Sequence, residues 1–166
     1  MRFLELNEIW EWCEERGIGV ENRTSPARNP HLSHVTRARY ELGTRTGHEA
    51  ALADVCVRAL GDWDECLLWI TLVGVWDSDE DWPAFYAMRG ERGERRSVEI
   101  APGHCFRCDE RALLVRFLTA VFENGWDAFL LPTCNGRETD RRLQVSHDEW
   151  VEVQSRRPVE PDALAV

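Results

Sequence analysis

Lysine is absent from this sequence of 166 residues, although 20 of the residues are arginine. The absence excludes several chemistries, namely a Walker A phosphate site, a Schiff-base lysine, a protein-kinase lysine and a Ser–Lys dyad. Gly, Ala, Arg and Pro together supply 52 residues, whereas Phe, Tyr, Met, Ile, Asn and Lys supply 19. This skew is typical of a GC-rich genome and favours a bacterial or phage source, with selection against lysine modification as the alternative.

A long apolar run is also missing. The longest one, residues 66–76, is interrupted by Thr71 and Gly74 and is too short to cross a bilayer. Residues 1–16 carry five glutamates and lack the basic start of a secretory signal. We therefore expect a soluble cytoplasmic protein with no membrane partner, in which the six cysteines are free thiols.

The composition is that of an ordinary globular domain, with 43% apolar and 30% charged residues. A chain of this length buries enough surface to fold without disulfides or metal. We expect one globular domain over residues 1–154. Residues 155–166 are polar and contain proline, which predicts a flexible C-terminal tail.

Net charge is −10, which argues against a nucleic acid as partner because phosphate binding needs clustered cations. Residues 62–81 hold seven acids and no base, whereas residues 22–48 hold five arginines. Surfaces of opposite sign favour oriented association with a charged partner, and the alternative is that these charges form solvated faces and helix caps. The alternative is a nucleic-acid binder, whose site would use six arginines from two segments of the chain: Arg37, Arg39, Arg89, Arg92, Arg95 and Arg96.

Hydrophobic periodicity predicts alternating helices and strands. The helices are expected at 3–16, 49–60, 79–88 and 110–123, capped in the last three cases by Thr46, Ser78 and Asp109. Strands are expected at 35–42, 66–76, 97–101, 126–131 and 143–147, the last extended by 150–153 past a bulge. This order predicts an α/β or α+β domain with a central mixed sheet, flanking helices and a C-terminal antiparallel hairpin. Residues 66–76 are the expected centre of the sheet, covered on both faces.

Tryptophans beside acids form the first candidate site. Half-exposed aromatic residues among charges are typical anchors of protein interfaces. The leading hypothesis is a non-enzymatic binding or regulatory domain, of inhibitor or immunity type, that contacts a protein through these residues: Trp63, Trp76, Asp77, Asp79, Asp81 and Trp82. The alternatives are core-edge tryptophans with helix-capping acids, or Mg²⁺ ligands at 77–81. An EF-hand is excluded because Trp82 and Met88 stand at its glycine and twelfth-ligand positions.

Cys105 and Cys108 form the second candidate site, a CxxC pair. Two such thiols can bind zinc or cycle as a dithiol when a tight turn brings them together. For zinc, His104 and Cys134 complete the set, with His147 as a further donor. The alternative to this zinc- or thiol-dependent enzyme or sensor is a set of structural thiols.

His147 is the centre of the third candidate site. Ser146, His147 and Asp148 are consecutive, and neighbours on a strand face opposite sides, so they cannot form a catalytic triad. A dyad of His147 with Cys105 or Cys134 is the catalytic alternative to a structural histidine. No motif in the sequence specifies a reaction.

Overall fold

Strand β5 (Glu65–Leu72) lies inside a large sheet in the computed structural model, which describes residues 1–21, 24–41, 47–76 and 80–164. Its residues 66–70 are buried in succession, because side chains on both faces of the strand are covered. The predicted central strand, covered on both faces, is thereby confirmed. It ends at Leu72 rather than at residue 76.

The described residues form an eight-stranded sheet in the order β1-β6-β5-β7-β9-β10-β4, with β8 paired to β7, and a separate hairpin of β2 and β3. The remaining strands, in chain order, are β1 (Arg2–Leu4), β2 (Val20–Glu21), β3 (Ser25–Pro26), β4 (His34–Arg39), β6 (Gly103–Arg107), β7 (Asp127–Cys134), β8 (Arg137–Glu138), β9 (Arg141–Ser146) and β10 (Trp150–Ser155).

Four helices flank the sheet in the described part of the chain, namely α1 (Leu6–Glu15), α2 (His48–Ala59), α3 (Trp82–Gly90) and α4 (Arg111–Asn124). The predicted single domain, with a central sheet, flanking helices and an antiparallel C-terminal hairpin, is confirmed in its α+β form. The strand pairings found are all antiparallel, whereas strand–helix alternation had favoured some parallel pairing. Helix α4 does join two strands that run in the same direction, β6 and β7, but β5 lies between them and pairs antiparallel with both.

One face of the sheet carries the larger core. Leu52 of α2, Phe85 of α3 and Leu114 of α4 pack there against inward side chains of the sheet, among them Leu68 and Leu130. Two of the four helices, α2 and α4, are amphipathic and lie side by side over these strands. No helix among the described residues is both long and apolar enough to cross a membrane.

Helix α1 covers part of the opposite face. Ile9, Trp12 and Cys13 pack there against Leu67 and Trp69 of β5. The approach to β6 is so close that a Cβ at Gly103 would stand 2.8 Å from the side chain of Ile9. Helix 3–16 was predicted as one element, but residues 2–4 form β1 and the helix begins at Leu6, capped by Glu5 and Glu8. The prediction was wrong there because Phe3 and Leu4 pair with β6.

Residues 97–101 are a turn rather than the predicted strand. The buried guanidinium of Arg89 donates to the carbonyls of Arg96, Ser97 and Ala101, which folds this segment back on α3. The strand forms instead at Gly103–Arg107, where β6 pairs with β1 and β5.

The hairpin after α4 contains more strands than predicted. β7 pairs with β9 as expected, but Asn135 and Gly136 also make a tight turn, with φ of 52° and 70°, that folds β8 onto β7. Residues 150–153, predicted to extend the second arm past a bulge, belong instead to the separate strand β10. Glu149, with φ of 65°, turns the chain back on β9 there.

The helix starts differ by a few residues from those predicted. α2 begins at His48, and its predicted cap Thr46 lies outside the described residues. α3 begins at Trp82 because the Asp81 carboxylate accepts the N–H of Ala84, while the predicted cap Ser78 also lies outside the described part.

In the segment predicted as a flexible tail, Leu164 is buried in the larger core and the carbonyl of Val159 accepts a hydrogen bond from Thr36. The mobility of that segment stays a prediction.

Candidate functional site

The predicted tryptophan–acid set is divided by β5. Trp63 precedes that strand and Trp76 follows it, so about 26 Å of extended chain separates them. Trp63 is buried, and the guanidinium of Arg111 lies over its ring at 4.7 Å. Trp63 is therefore part of the core edge, which was the alternative reading.

The other members of that set belong to the far end of β5. Trp76 is exposed, and Trp82 is half-buried against Trp126, with ring centroids 5.0 Å apart. Asp81 is exposed and caps α3. Asp77 and Asp79 lie outside the described residues.

The structure does not bring the four predicted zinc ligands to one point. His104 and Cys105 are neighbours on β6 and face opposite sides of the sheet, with His104 against Phe85 and Cys105 in the cluster around α1. The extended backbone of β6 also separates Cys105 from the exposed Cys108, so no tight CxxC turn forms. Cys134 ends β7, which is separated from β6 by β5. The described residues contain no group of three His, Cys, Asp or Glu side chains placed to hold a metal ion.

His104 is held in a buried contact with Arg89. The Nη1 of Arg89 lies 2.7 Å from the His104 Nε2, and His104 Nδ1 lies 3.0 Å from the carbonyl of Pro102. Because a guanidinium only donates, Nε2 accepts and the proton stays on Nδ1. Burial and the adjacent guanidinium lower the pKa of His104 to about 3, so the ring is neutral and its nitrogens are occupied.

The buried cysteines are poor nucleophiles. Burial raises the pKa of Cys13 to about 12 and also raises that of Cys105. The pKa of Cys134 is raised by desolvation and by the nearby carboxylates of Asp64 and Asp62. A thiol with a raised pKa carries little thiolate at neutral pH, which fits structural thiols.

His147 is bound between carboxylates and far from the thiols. Its Nδ1 lies 2.8 Å from Asp127 Oδ1, and its Nε2 lies 3.4 Å from Asp148 Oδ1. Asp127 begins β7 and Cys134 ends it, about 23 Å away along the strand, which separates His147 from that thiol. Cys105 is buried on the α1 side of β6, beyond β5. The structure does not form either predicted Cys–His dyad.

The arginines of the nucleic-acid alternative are largely engaged within the protein. Arg89 is buried, and Arg96 pairs with Glu94 at 2.6 Å and Glu5 at 2.8 Å. Arg37 pairs with Glu152 at 2.8 Å, and Arg39 pairs with Glu149 at 3.3 Å. These contacts neutralise much of the positive charge that a phosphate backbone would need.

Exposed apolar side chains gather at one end of the sheet. Five large apolar residues are strongly exposed in the part of the chain that the structure describes, namely Leu6 at 37%, Val35 at 51%, Leu72 at 40%, Trp76 at 47% and Ile100 at 55%. Leu6 and Leu72 line one surface pocket of about 270 Å³, and Ile100 directly follows its lining residue Glu99. Trp76 lies three residues beyond the lining residue Val73. We call Leu6, Leu72, Trp76 and Ile100 the apolar patch; Val35 lies apart from it on β4.

A carboxylate fixes the loop that carries Trp76. Glu80 accepts the backbone N–H of Gly74 at 3.3 Å through Oε2 and that of Trp76 at 3.2 Å through Oε1. Gly74 has a φ of 74°, a conformation that favours glycine. The exposed indole of Trp76 is thus attached to a backbone held in a defined turn.

The rim of the apolar patch is acidic. Glu99 lines the pocket, is exposed, and has no cation within ion-pair distance in the part of the chain that the structure describes. Glu80 accepts the backbone N–H of Trp76, and the exposed Asp81 follows Glu80 in the chain. Arg96, which precedes the turn carrying Glu99, is already bound by Glu94 and Glu5. An apolar depression with this rim favours a ligand that is both apolar and positively charged.

The sequence identified Trp76 but gave no reason to select Leu6 or Ile100. Leu6 has the spacing of a buried helix residue, and Ile100 falls in a predicted strand. In the structure Leu6 is the first residue of α1 and Ile100 lies in the turn at 97–101, and both are exposed. A comparison with known proteins found no matching family model, no matching curated protein and no matching solved structure.

Proposed function

We propose that this protein is a binding or regulatory domain that recognises another protein through the apolar patch and its acidic rim. The observation that carries the proposal is one pocket lined by the exposed Leu6 and Leu72, with the exposed Ile100 and Trp76 on the chain segments that continue from its lining residues Glu99 and Val73. Scattered exposed apolar residues are ordinary, whereas a group rimmed by polar residues marks interaction sites.

The partner we propose presents an apolar side chain next to arginine or lysine. Burial of Leu72, Ile100 and the Trp76 indole supplies affinity, since aromatic and aliphatic anchors dominate interface energetics. The carboxylates of Glu99, Glu80 and Asp81 supply orientation and faster association with a basic segment. An inhibitor or immunity-type protein that covers a basic site on its target fits this combination.

A zinc- or thiol-dependent activity gains no support from the placement of the predicted ligands. His104, Cys105, Cys108 and Cys134 point to different parts of the sheet. We therefore propose no second function.

Selection from a defined peptide library tests the proposal. Random 12-residue peptides displayed on phage are selected on the immobilised full chain, and a Leu72→Asp variant serves for counter-selection. We expect enriched peptides to combine a large apolar residue with neighbouring Arg or Lys, and to bind less tightly as ionic strength rises. Failure to enrich any peptide, or enrichment that is equal on Leu72→Asp, would contradict the proposal.

A further inference from the structure

Strand β5 is longer than its neighbour β6. The ladder between them ends at the pair Trp69–Gly103, followed by one hydrogen bond from the N–H of Ile70 to the carbonyl of Pro102. Beyond this point the chain of β6 turns away at Pro102. Among the described residues, no strand pairs with Thr71 or Leu72 on that side.

The other side of the same segment is held. Leu72 pairs with Asp127 of β7 after a register shift at Ile70 and Leu72, and the Thr71 hydroxyl donates to the Asp127 carbonyl at 3.3 Å. The end of β5 is therefore a fixed strand with one open side. Such edges are templates for the addition of a further strand.

The pocket of the apolar patch lies on this open side. Its lining runs from Ile70 and Leu72 on β5, and Val73 just after the strand, to Val98 and Pro102 on the opposite wall, so the gap left by β6 and the pocket coincide. Leu6, at the start of α1, also lines the pocket. A chain entering the gap would lie beside the backbone of β5 and above an apolar floor.

We infer that the partner enters as an extended segment that adds a short strand to the open side of β5, with one apolar side chain in the pocket. Main-chain hydrogen bonds supply affinity in this mode, and the pocket and charged rim supply specificity. The exposed Glu99 stands at the pocket wall, where a basic residue of the segment meets it. This inference rests on the proposed function and specifies how the partner is held.

Backbone methylation of a selected peptide tests the inference. The tightest peptide from the library is resynthesised with a single N-methyl group at each position in turn, and the affinity of each version is measured by calorimetry on the full chain. Because every second residue of an added strand points its N–H toward β5, we expect sensitive positions to alternate with tolerant ones. Each sensitive position should lose roughly tenfold in affinity or more.

Amide exchange on the protein gives a second readout. Binding of the unmodified peptide should slow hydrogen exchange in the Thr71–Val73 segment by roughly tenfold or more, while the edge strand β4 keeps its rate. Uniform tolerance of N-methylation, or a contiguous block of sensitive positions, together with unchanged exchange at Thr71–Val73, would overturn strand addition while leaving the proposed function intact. If no peptide is selected at all, the proposed function and this inference both fall.

Discussion

The guanidinium of Arg89 donates from Nη1 to the Nε2 of His104 at 2.7 Å, inside the core and away from solvent. The same side chain donates to the carbonyls of Ala101 at 3.1 Å, Arg96 at 3.1 Å and Ser97 at 3.4 Å. One side chain of α3 thus holds β6 and the turn that precedes it. That turn carries Glu99 and Ile100, so this buried contact positions one wall of the pocket.

Replacement of Arg89 by Met should lower the free energy of unfolding by about 2–4 kcal/mol, because the buried His104 and Ala101 carbonyl and the part-buried carbonyls of Arg96 and Ser97 lose their donor. Chemical denaturation of wild type and Arg89→Met measures the difference. Arg92→Met is the matched control, since Arg92 is exposed in the following turn, and we expect it to stay within about 0.5 kcal/mol of wild type. Equal stability of the two variants would contradict the structural role of Arg89.

His104 should make the protein less stable as the pH falls. Its folded-state pKa of about 3 lies below the unfolded value near 6.5, so between these values the unfolded chain binds one proton more. The free energy of unfolding should fall by about 1.4 kcal/mol per pH unit from this group below pH 6, and not above pH 7. Chemical denaturation at pH 5 and at pH 7 measures this loss of stability. The difference in unfolding free energy between the two pH values should be smaller in His104→Gln than in wild type. The control variant His31→Gln, at an exposed histidine, should show the same difference as wild type.

The direct check on this prediction is the NMR signal of the His104 ring. A ring that stays neutral at pH 5 agrees with the buried contact to Arg89. Protonation of His104 near pH 6.5 would contradict it.

The thiols should react with Ellman's reagent in the order of their exposure. Cys108 is exposed and should react first, Cys134 is partly exposed and should react more slowly, and the other four are buried and should react only after unfolding. Cys108→Ser should remove the fast phase alone. Rapid reaction of more than two thiols in the folded protein, or a bound zinc ion in native mass spectrometry that Cys105→Ala removes, would contradict this arrangement.

Glu80→Ala should release the loop that carries Trp76 without unfolding the domain. The N–H groups of Gly74 and Trp76 then lose their shared acceptor, and their hydrogen exchange should speed up by roughly tenfold. Global stability should change by less than about 1 kcal/mol, because the contact is exposed. The control is Glu91→Ala, an exposed carboxylate near Arg116. Unchanged exchange at Gly74 and Trp76 in Glu80→Ala would show that this carboxylate does not fix the loop.

Much of the fold was predictable where local pattern and tertiary packing agree. The apolar run in β5 and the stripe of α4 are visible in the sequence because each is buried as its own periodicity requires. The turn at 97–101 could not be predicted from the sequence pattern, because the long-range hydrogen bonds of Arg89 decide its conformation. β1 was missed for a related reason, since its three residues become a strand only through pairing with β6.

The candidate site was predictable only in part. Trp76 beside acids was visible in the sequence, but the pocket that Leu6 and Leu72 line is formed by the fold alone. The CxxC spacing predicted a turn, yet the pairing of β6 with two neighbours extends that backbone and separates the thiols. Sequence spacing does not reveal such tertiary constraints.

Binding of a selected peptide to Leu72→Asp and Val35→Asp is the most direct test of the central claim. Each change replaces a strongly exposed apolar residue of a strand by aspartate. Leu72 belongs to the apolar patch, whereas Val35 lies on the distant edge strand β4. Calorimetry should show a loss of affinity of roughly tenfold or more for Leu72→Asp and no change for Val35→Asp, because the proposed binding mode places only Leu72 against the partner. Equal binding by both variants would contradict the account.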